Sequence, residues 1–246
     1  MGNKFLIKNG AVFFRLRNFL FPTFIIVLFL FTKPALFLGS RALDPVVVTL
    51  GFMIALTGQA FRLLVIGFAY IKRGGRDGRV FADDLVIQGF YAHVRNPMYV
   101  GNFLILLGIG MIYGSAWVYF VLVPFISFAY LSIVVTEEDY LKKRFGAEYK
   151  KYCKKVNRFF PNFKGIKGSL GQFQYDWKKV IRKDYGTFFG MIVGCYAIVL
   201  WKRYHLYGFP KSEGEILTAI SVFILLGIGY VVVRRLKKSG KLKKKK

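Results

Sequence analysis

Apolar runs of membrane-spanning length, separated by segments crowded with lysine and arginine, leave this chain few folds to choose from. Residues 19–38, 46–71, 117–135 and 216–233 each meet or approach the ~20 apolar residues a helix needs to cross a hydrocarbon core. Two shorter runs accompany them. Residues 103–113 lead through Gly114 and Ser115 into 117–135, a spacing that predicts a tight helical hairpin whose first arm is tilted or only partly spanning. Residues 187–201 are short but uninterrupted by charge. Together they predict an all-α polytopic membrane bundle of about six segments, because in lipid each backbone N–H and C=O must be satisfied within its own helix.

Charge then sets orientation and excludes other classes. The chain is 55% hydrophobic yet carries a formal charge of +26, a pairing that no ordinary soluble domain shows. A basic excess alone would suggest nucleic acid, but here the basic residues lie between the apolar runs, so the implied partner is an anionic membrane surface. With six passes, 32 of the 38 Lys and Arg residues fall on one side, leaving Arg41, Lys202, Arg203 and Lys211 opposite and Lys33 and Arg62 within apolar runs. The bias places both termini in the cytosol. Ser40 and Ala42 form a weak cleavage site for a signal peptide, but the run continues past Lys33-Pro34, which favours a retained helix. The terminal Lys243 to Lys246 reads as a solvated charge run on lipid head groups, or as a dilysine retrieval signal in a eukaryotic host.

Cys153 and Cys195 read as free thiols, and His93 and His205 stand apart, so neither a disulfide framework nor a metal site is expected. Gly186, Gly190 and Gly194 share one helix face and predict a seam for close helix approach, including homodimerisation. Arg62 lies within a span with Gln59 on the same face; it either snorkels to the membrane surface or serves the site. The organisation expected is a basic segment and first helix over 1–45, a core over 46–161, and a basic connector with two further helices over 162–246.

Chemistry is confined to the polar segments 72–98 and 136–185. In the first, Pro97 bars Asn96 from the helical conformation and starts a helix, so Arg95 and Asn96 sit at the mouth of the hairpin. Free backbone donors there suit a carboxylate or phosphate. In the second, Glu137, Glu138 and Asp139 stand together where the hairpin's other arm leaves the membrane. Both arms return to one side, so these acids should lie near Arg95 and Asn96. Two readings fit: a polar pocket for a zwitterion, or interfacial anchors with Glu137 and Glu138 paired to Lys142, Lys143 and Arg144 at helical spacing.

The order Leu85-Val86, Gly89, Tyr91, Arg95-Asn96-Pro97-Met98-Tyr99, Gly101, then Glu137-Glu138, Leu141, Phe145-Gly146, Tyr149, Tyr152, Val156, Arg158 and Pro161 resembles the isoprenylcysteine carboxyl methyltransferase and phospholipid methyltransferase superfamily. The resemblance covers roughly residues 50–161. It implies S-adenosylmethionine held at the cytosolic membrane face, a lipid or lipid-linked acceptor entering from the bilayer, and cofactor contacts at Asp84, Leu85, Val86, Tyr91, Arg95, Asn96, Pro97, Met98, Tyr99, Glu137 and Glu138. Many relatives carry His where this chain has Asn96, which hydrogen-bonds but does not titrate; eukaryotic carboxyl methyltransferases carry Arg where it has Ile133. No catalytic residue is assigned, although Glu138 and Tyr99 could take a proton from an amine acceptor. The alternatives are a nicotinamide-dependent sterol-type reductase, using Lys72, Arg73, Arg76 and Arg79 for a phosphate, and a lipid-binding scaffold.

Overall fold

The computed structural model describes residues 2–68, 80–210 and 212–242. The reductase-type phosphate loop at Lys72 to Arg79, the end of the second run at Ile71, and the Lys243 to Lys246 tail therefore lie outside the described residues. The order is α1 (Gly2–Phe31), α2 (Leu43–Phe68), α3 (Pro97–Tyr113), α4 (Val123–Lys155), the short α5 (Ile166–Gly171), α6 (Trp177–Tyr207) and α7 (Glu213–Lys238). A π-helical turn, Val118–Leu122, leads into α4. Among the described residues five helices are long and apolar enough to cross a membrane, and α3 is a shorter apolar one. The chain is a polytopic all-α membrane protein, as the hydropathy pattern predicts.

The helix limits differ from the apolar runs in instructive ways. α1 starts at Gly2 and stops at Phe31, not at Leu38, because Pro34 bars the helical conformation at Lys33. Its basic residues are helical, and Arg17 lays its guanidinium over the Phe14 ring at 4.1 Å. α4 runs past Glu137 to Lys155, interrupted where Gly146 adopts φ 51° and ψ −116°. α6 begins at Trp177, so Asp184 belongs to a helix and not to the polar connector.

The expected hairpin is corrected in part. The turn is tight, since Gly114 caps α3 in the left-handed region (φ 78°) and a Cβ there would sit 2.4 Å from the Ala35 carbonyl. The arms, however, do not pair along their lengths: α3 packs along α2, and α4 along α1. Glycine explains the first pairing. A Cβ on Gly58 would lie 2.6 Å from the Gly101 carbonyl, and one on Gly108 would lie 2.3 Å from that of Gly51, so the two backbones touch where no side chain fits. Aromatic packing explains the second. Phe24 stacks on Phe125 at 3.8 Å, Phe13 meets Phe125 edge-on at 6.1 Å, and Thr136 Oγ1 donates to the Ile7 carbonyl at 3.1 Å. α1 and α4 are thus antiparallel, with the start of α1 beside Thr136.

α6 closes the bundle with charge. Lys202 Nζ bonds Asp44 Oδ1 at 2.7 Å and the Ile112 carbonyl at 3.2 Å, with Lys202 and Asp44 both buried. Lys202 is therefore an internal partner and not an external surface charge. Near the opposite end Asp184 pairs with Arg62, which stays buried instead of snorkelling. The face carrying Val180, Asp184, Met191, Cys195, Ile198 and Lys202 is the buried one. Gly186, Gly190 and Gly194 look elsewhere: a Cβ on any of them would meet nothing within 4 Å, so the expected seam is not used within the chain. α7 buries no residue and rests on α6 through pairs such as Tyr196 with Phe223 (5.2 Å) and Phe189 with Tyr230 (5.9 Å).

Candidate active site at the mouth of α3

The segment ahead of α3 is a strap laid across the end of the bundle. At one side Phe81 meets the Arg144 guanidinium at 5.6 Å. At the other, Phe90 is buried edge-on against Phe61 (5.5 Å, 90°) of α2. Gly89 permits the turn into Phe90 because its φ of 61° is a left-handed conformation that other residues adopt at a cost. Leu85 and Val86 are half-buried and Asp84 exposed on this strap, between those two anchors.

From His93 onward the strap is stitched to the chain leaving α4. Asn162 N donates to the His93 carbonyl at 3.0 Å, His93 Nδ1 meets the Asn162 carbonyl at 2.6 Å, Arg95 N donates to the Asn157 carbonyl at 2.9 Å, and Asn96 Nδ2 donates to the Arg158 carbonyl at 3.2 Å. Tyr152 OH donates to the Tyr91 carbonyl at 2.6 Å. Burial, with the Glu137 charge second, pushes the Tyr91 phenol well above its ordinary value, so it stays protonated.

These bonds bring the two acidic and basic motifs together, as expected from the sequence. Glu138 is forked by Arg158 (Nε to Oε1 3.1 Å, Nη2 to Oε2 2.7 Å) and also meets Arg95 Nη1 at 3.2 Å. Glu137 Oε1 accepts the Tyr99 hydroxyl at 3.0 Å. Arg95 Nη1 further contacts Cys153 Sγ at 2.8 Å. Of the acidic trio only Asp139 pairs along its own helix, with Lys143 at 2.6 Å on the exposed side. The helical-pair alternative therefore fails for the two glutamates, whose partners come from α3 and its approach and from beyond α4.

Tyr91, Arg95, Asn96, Pro97, Tyr99, Glu137 and Glu138 thus share one neighbourhood, with Met98 half-buried in the first turn of α3. Asn96 caps that helix without a side-chain cap bond, and Pro97 is its first residue. Arg158 and Cys153 belong to the same cluster, Arg158 through Glu138 and Cys153 through Arg95. Arg158 stands twenty residues after Glu138 in sequence, and only the break at Gly146 and the turn at Val156 return it. Arg95 Nε and His93 Nε2 are buried and unpartnered among the described residues. No group of three or more His, Cys, Asp or Glu side chains among them could hold a metal.

The strap, the proline-led mouth of α3 and the two glutamates meet at this end of the bundle. Residues 46–148 match the model of the phospholipid methyltransferase family. The matched segment runs from α2 into the far half of α4, ending just short of Tyr149 and before Arg158. Two curated proteins are similar. The protein-S-isoprenylcysteine O-methyltransferase of Schizosaccharomyces pombe is 41% identical over 78 residues, 31% of this chain and 33% of that protein. The cobalt-zinc-cadmium resistance protein CzcN of Cupriavidus metallidurans is 30% identical over 128 residues, 51% of this chain and 54% of that one. The chain thus spans about a third and about half the length of these curated relatives. No solved structure matches it.

Proposed function

We propose that this protein is an integral membrane methyltransferase that takes its methyl group from S-adenosylmethionine and delivers it to a lipid or lipid-linked acceptor, a phospholipid amine or an isoprenoid-type carboxylate, at the cytosolic face. The observation that carries the reading is the meeting of Arg95, Asn96 and Tyr99 with Glu137 and Glu138 at the mouth of α3, inside the matched segment. The donor set suits a zwitterionic amino-acid group: Arg95 and the Asn96 amide at the mouth of α3 suit a carboxylate, and Glu137 suits an ammonium. Asp84, Leu85 and Val86 on the strap, with Tyr91, Pro97 and Met98, would enclose the remainder.

S-adenosylmethionine supplies a methyl group on a sulfonium, whose leaving group needs no activation. The protein's work is to align donor and acceptor and to exclude water. A carboxylate acceptor needs no base. For an amine acceptor one proton must leave, and the Tyr99 and Glu137 pair suits that task better than Glu138, both of whose oxygens are occupied by Arg158.

Calorimetry on detergent-purified protein tests the reading. Wild type is expected to bind S-adenosylmethionine in the micromolar range, and Glu137→Ala and Asn96→Ala to lose that binding. Binding of NADPH in its place would overturn the reading in favour of a reductase, and binding of neither would favour a scaffold.

A further inference from the structure

The matched segment contains a buried cation whose counter-charge lies outside it. Arg62 on α2 bonds Asp184 on α6, and Asp184 Oδ2 also accepts Gln59 Nε2 at 2.6 Å, while Arg62 Nη2 reaches Thr187 Oγ1 at 3.3 Å. Through Nη1, Arg62 also bonds Asn102 Oδ1 on α3. Asn102 stands three residues after Tyr99 on α3, so the side chain that Arg62 holds and the Tyr99 hydroxyl belong to one turn of the same helix. The Tyr130 ring packs on Tyr99 with centroids 5.3 Å apart, and Tyr99 donates to Glu137. Polar bonds and one turn of α3 therefore join α6 to the candidate site.

We propose that Asp184 is a positioning residue: it fixes Arg62, and through Asn102 and the first turns of α3 it sets the Tyr99 hydroxyl against Glu137. Asp184 and Gln59 are 1% and 2% exposed, and Arg62 is 7% exposed, in surroundings where an unmet charge is costly. Each group in such a set has few ways to satisfy its bonds, so the set has one favoured arrangement. Remove the carboxylate and Arg62 must seek another partner, taking Asn102 with it. Mere docking of α6 does not require this arrangement. The Lys202 and Asp44 pair anchors the same helix at its other end and makes no bond toward the site.

The experiment compares Asp184→Asn with Lys202→Met in the full-length protein labelled with 3-fluorotyrosine, the Tyr99 signal being assigned by its loss in Tyr99→Phe. Asp184→Asn is expected to move the Tyr99 fluorine resonance and Lys202→Met to leave it in place, although both lower the unfolding temperature. Gln59→Leu, which keeps the charge pair and frees only Asp184 Oδ2, is the milder variant and should move the resonance in the same direction. The cofactor arm rests on the functional reading above: S-adenosylmethionine affinity should fall about tenfold in Asp184→Asn and change by less than about twofold in Lys202→Met. An unmoved resonance in Asp184→Asn and Gln59→Leu, or equal movement in Lys202→Met, overturns the proposal. A resonance that responds as expected in a protein that binds no S-adenosylmethionine upholds the coupling and rejects the functional reading.

Discussion

Replacing Lys202 by methionine isolates the electrostatic part of the helix lock at the far end of α6. Asp44 and Lys202 are 8% and 5% exposed and 2.7 Å apart, so the carboxylate is almost wholly removed from solvent. Without the ammonium it keeps one donor, the Phe37 N–H at 2.9 Å, and the Ile112 carbonyl loses its extra partner. Methionine nearly fills the lysine stem's volume, so the cavity contribution is small. Breaking a buried pair from one side costs about 3–5 kcal/mol, most of it from the bare charge left behind. For a chain of this size about 1 kcal/mol corresponds to ~2–4 °C, so the unfolding temperature in detergent should drop by about 6–20 °C. The double variant Lys202→Met with Asp44→Asn removes the orphan charge while the asparagine oxygen still accepts the Phe37 N–H. It should return to within about 1 kcal/mol of wild type. Thermal scans at fixed protein and detergent concentration make the comparison. A double variant as unstable as the single one would refute the argument and point to lost packing of the lysine stem.

Two further substitutions test the packing and the site. Gly108→Ala pushes a Cβ to within 2.3 Å of the Gly51 carbonyl and should cost about 1–3 kcal/mol by forcing α2 and α3 apart, whereas Gly186→Ala, which meets nothing, should be neutral or gain up to ~1 kcal/mol of helix propensity; thermal unfolding separates them. On the proposed function, Glu138→Gln, which removes the charge that holds Arg95 and Arg158 together, should lower S-adenosylmethionine affinity by about tenfold in calorimetry, while an unchanged affinity would show that the clamp plays no part in the proposed site.

The six apolar segments were legible because lipid leaves hydropathy little competition. Their limits were not: Lys4, Lys8, Arg15 and Arg17 read as a basic segment ahead of the first helix, yet α1 absorbs them. The meeting of Arg95 with Glu138 also followed from the sequence, since both arms around Gly114 and Ser115 return to one end. The route differs, however, because the arms separate and the contact is made by the strap and the chain leaving α4. Arg158 could not be placed without the glycine break at Gly146. Asp184 was missed for a plainer reason: it sits between Lys183 and Tyr185 in a basic stretch and reads as connector. Its register was present all the same, since Val180, Asp184, Met191, Cys195, Ile198 and Lys202 repeat at helical spacing. The glycines drew attention to the wrong face because Gly186 lies two residues from Asp184, almost half a turn too far round.

The separation of Arg62 from Asp184 has a consequence in time. They stand 122 residues apart, so at ~5–20 residues per second a ribosome needs about 6–25 s to make the partner after the arginine. Through that interval α2 and α3 can join by their glycines, but the guanidinium between them has no carboxylate. The nascent bundle must keep it near the membrane surface, or against Asn102, until α6 arrives. Completion of the core is thus a late event in the protein's birth.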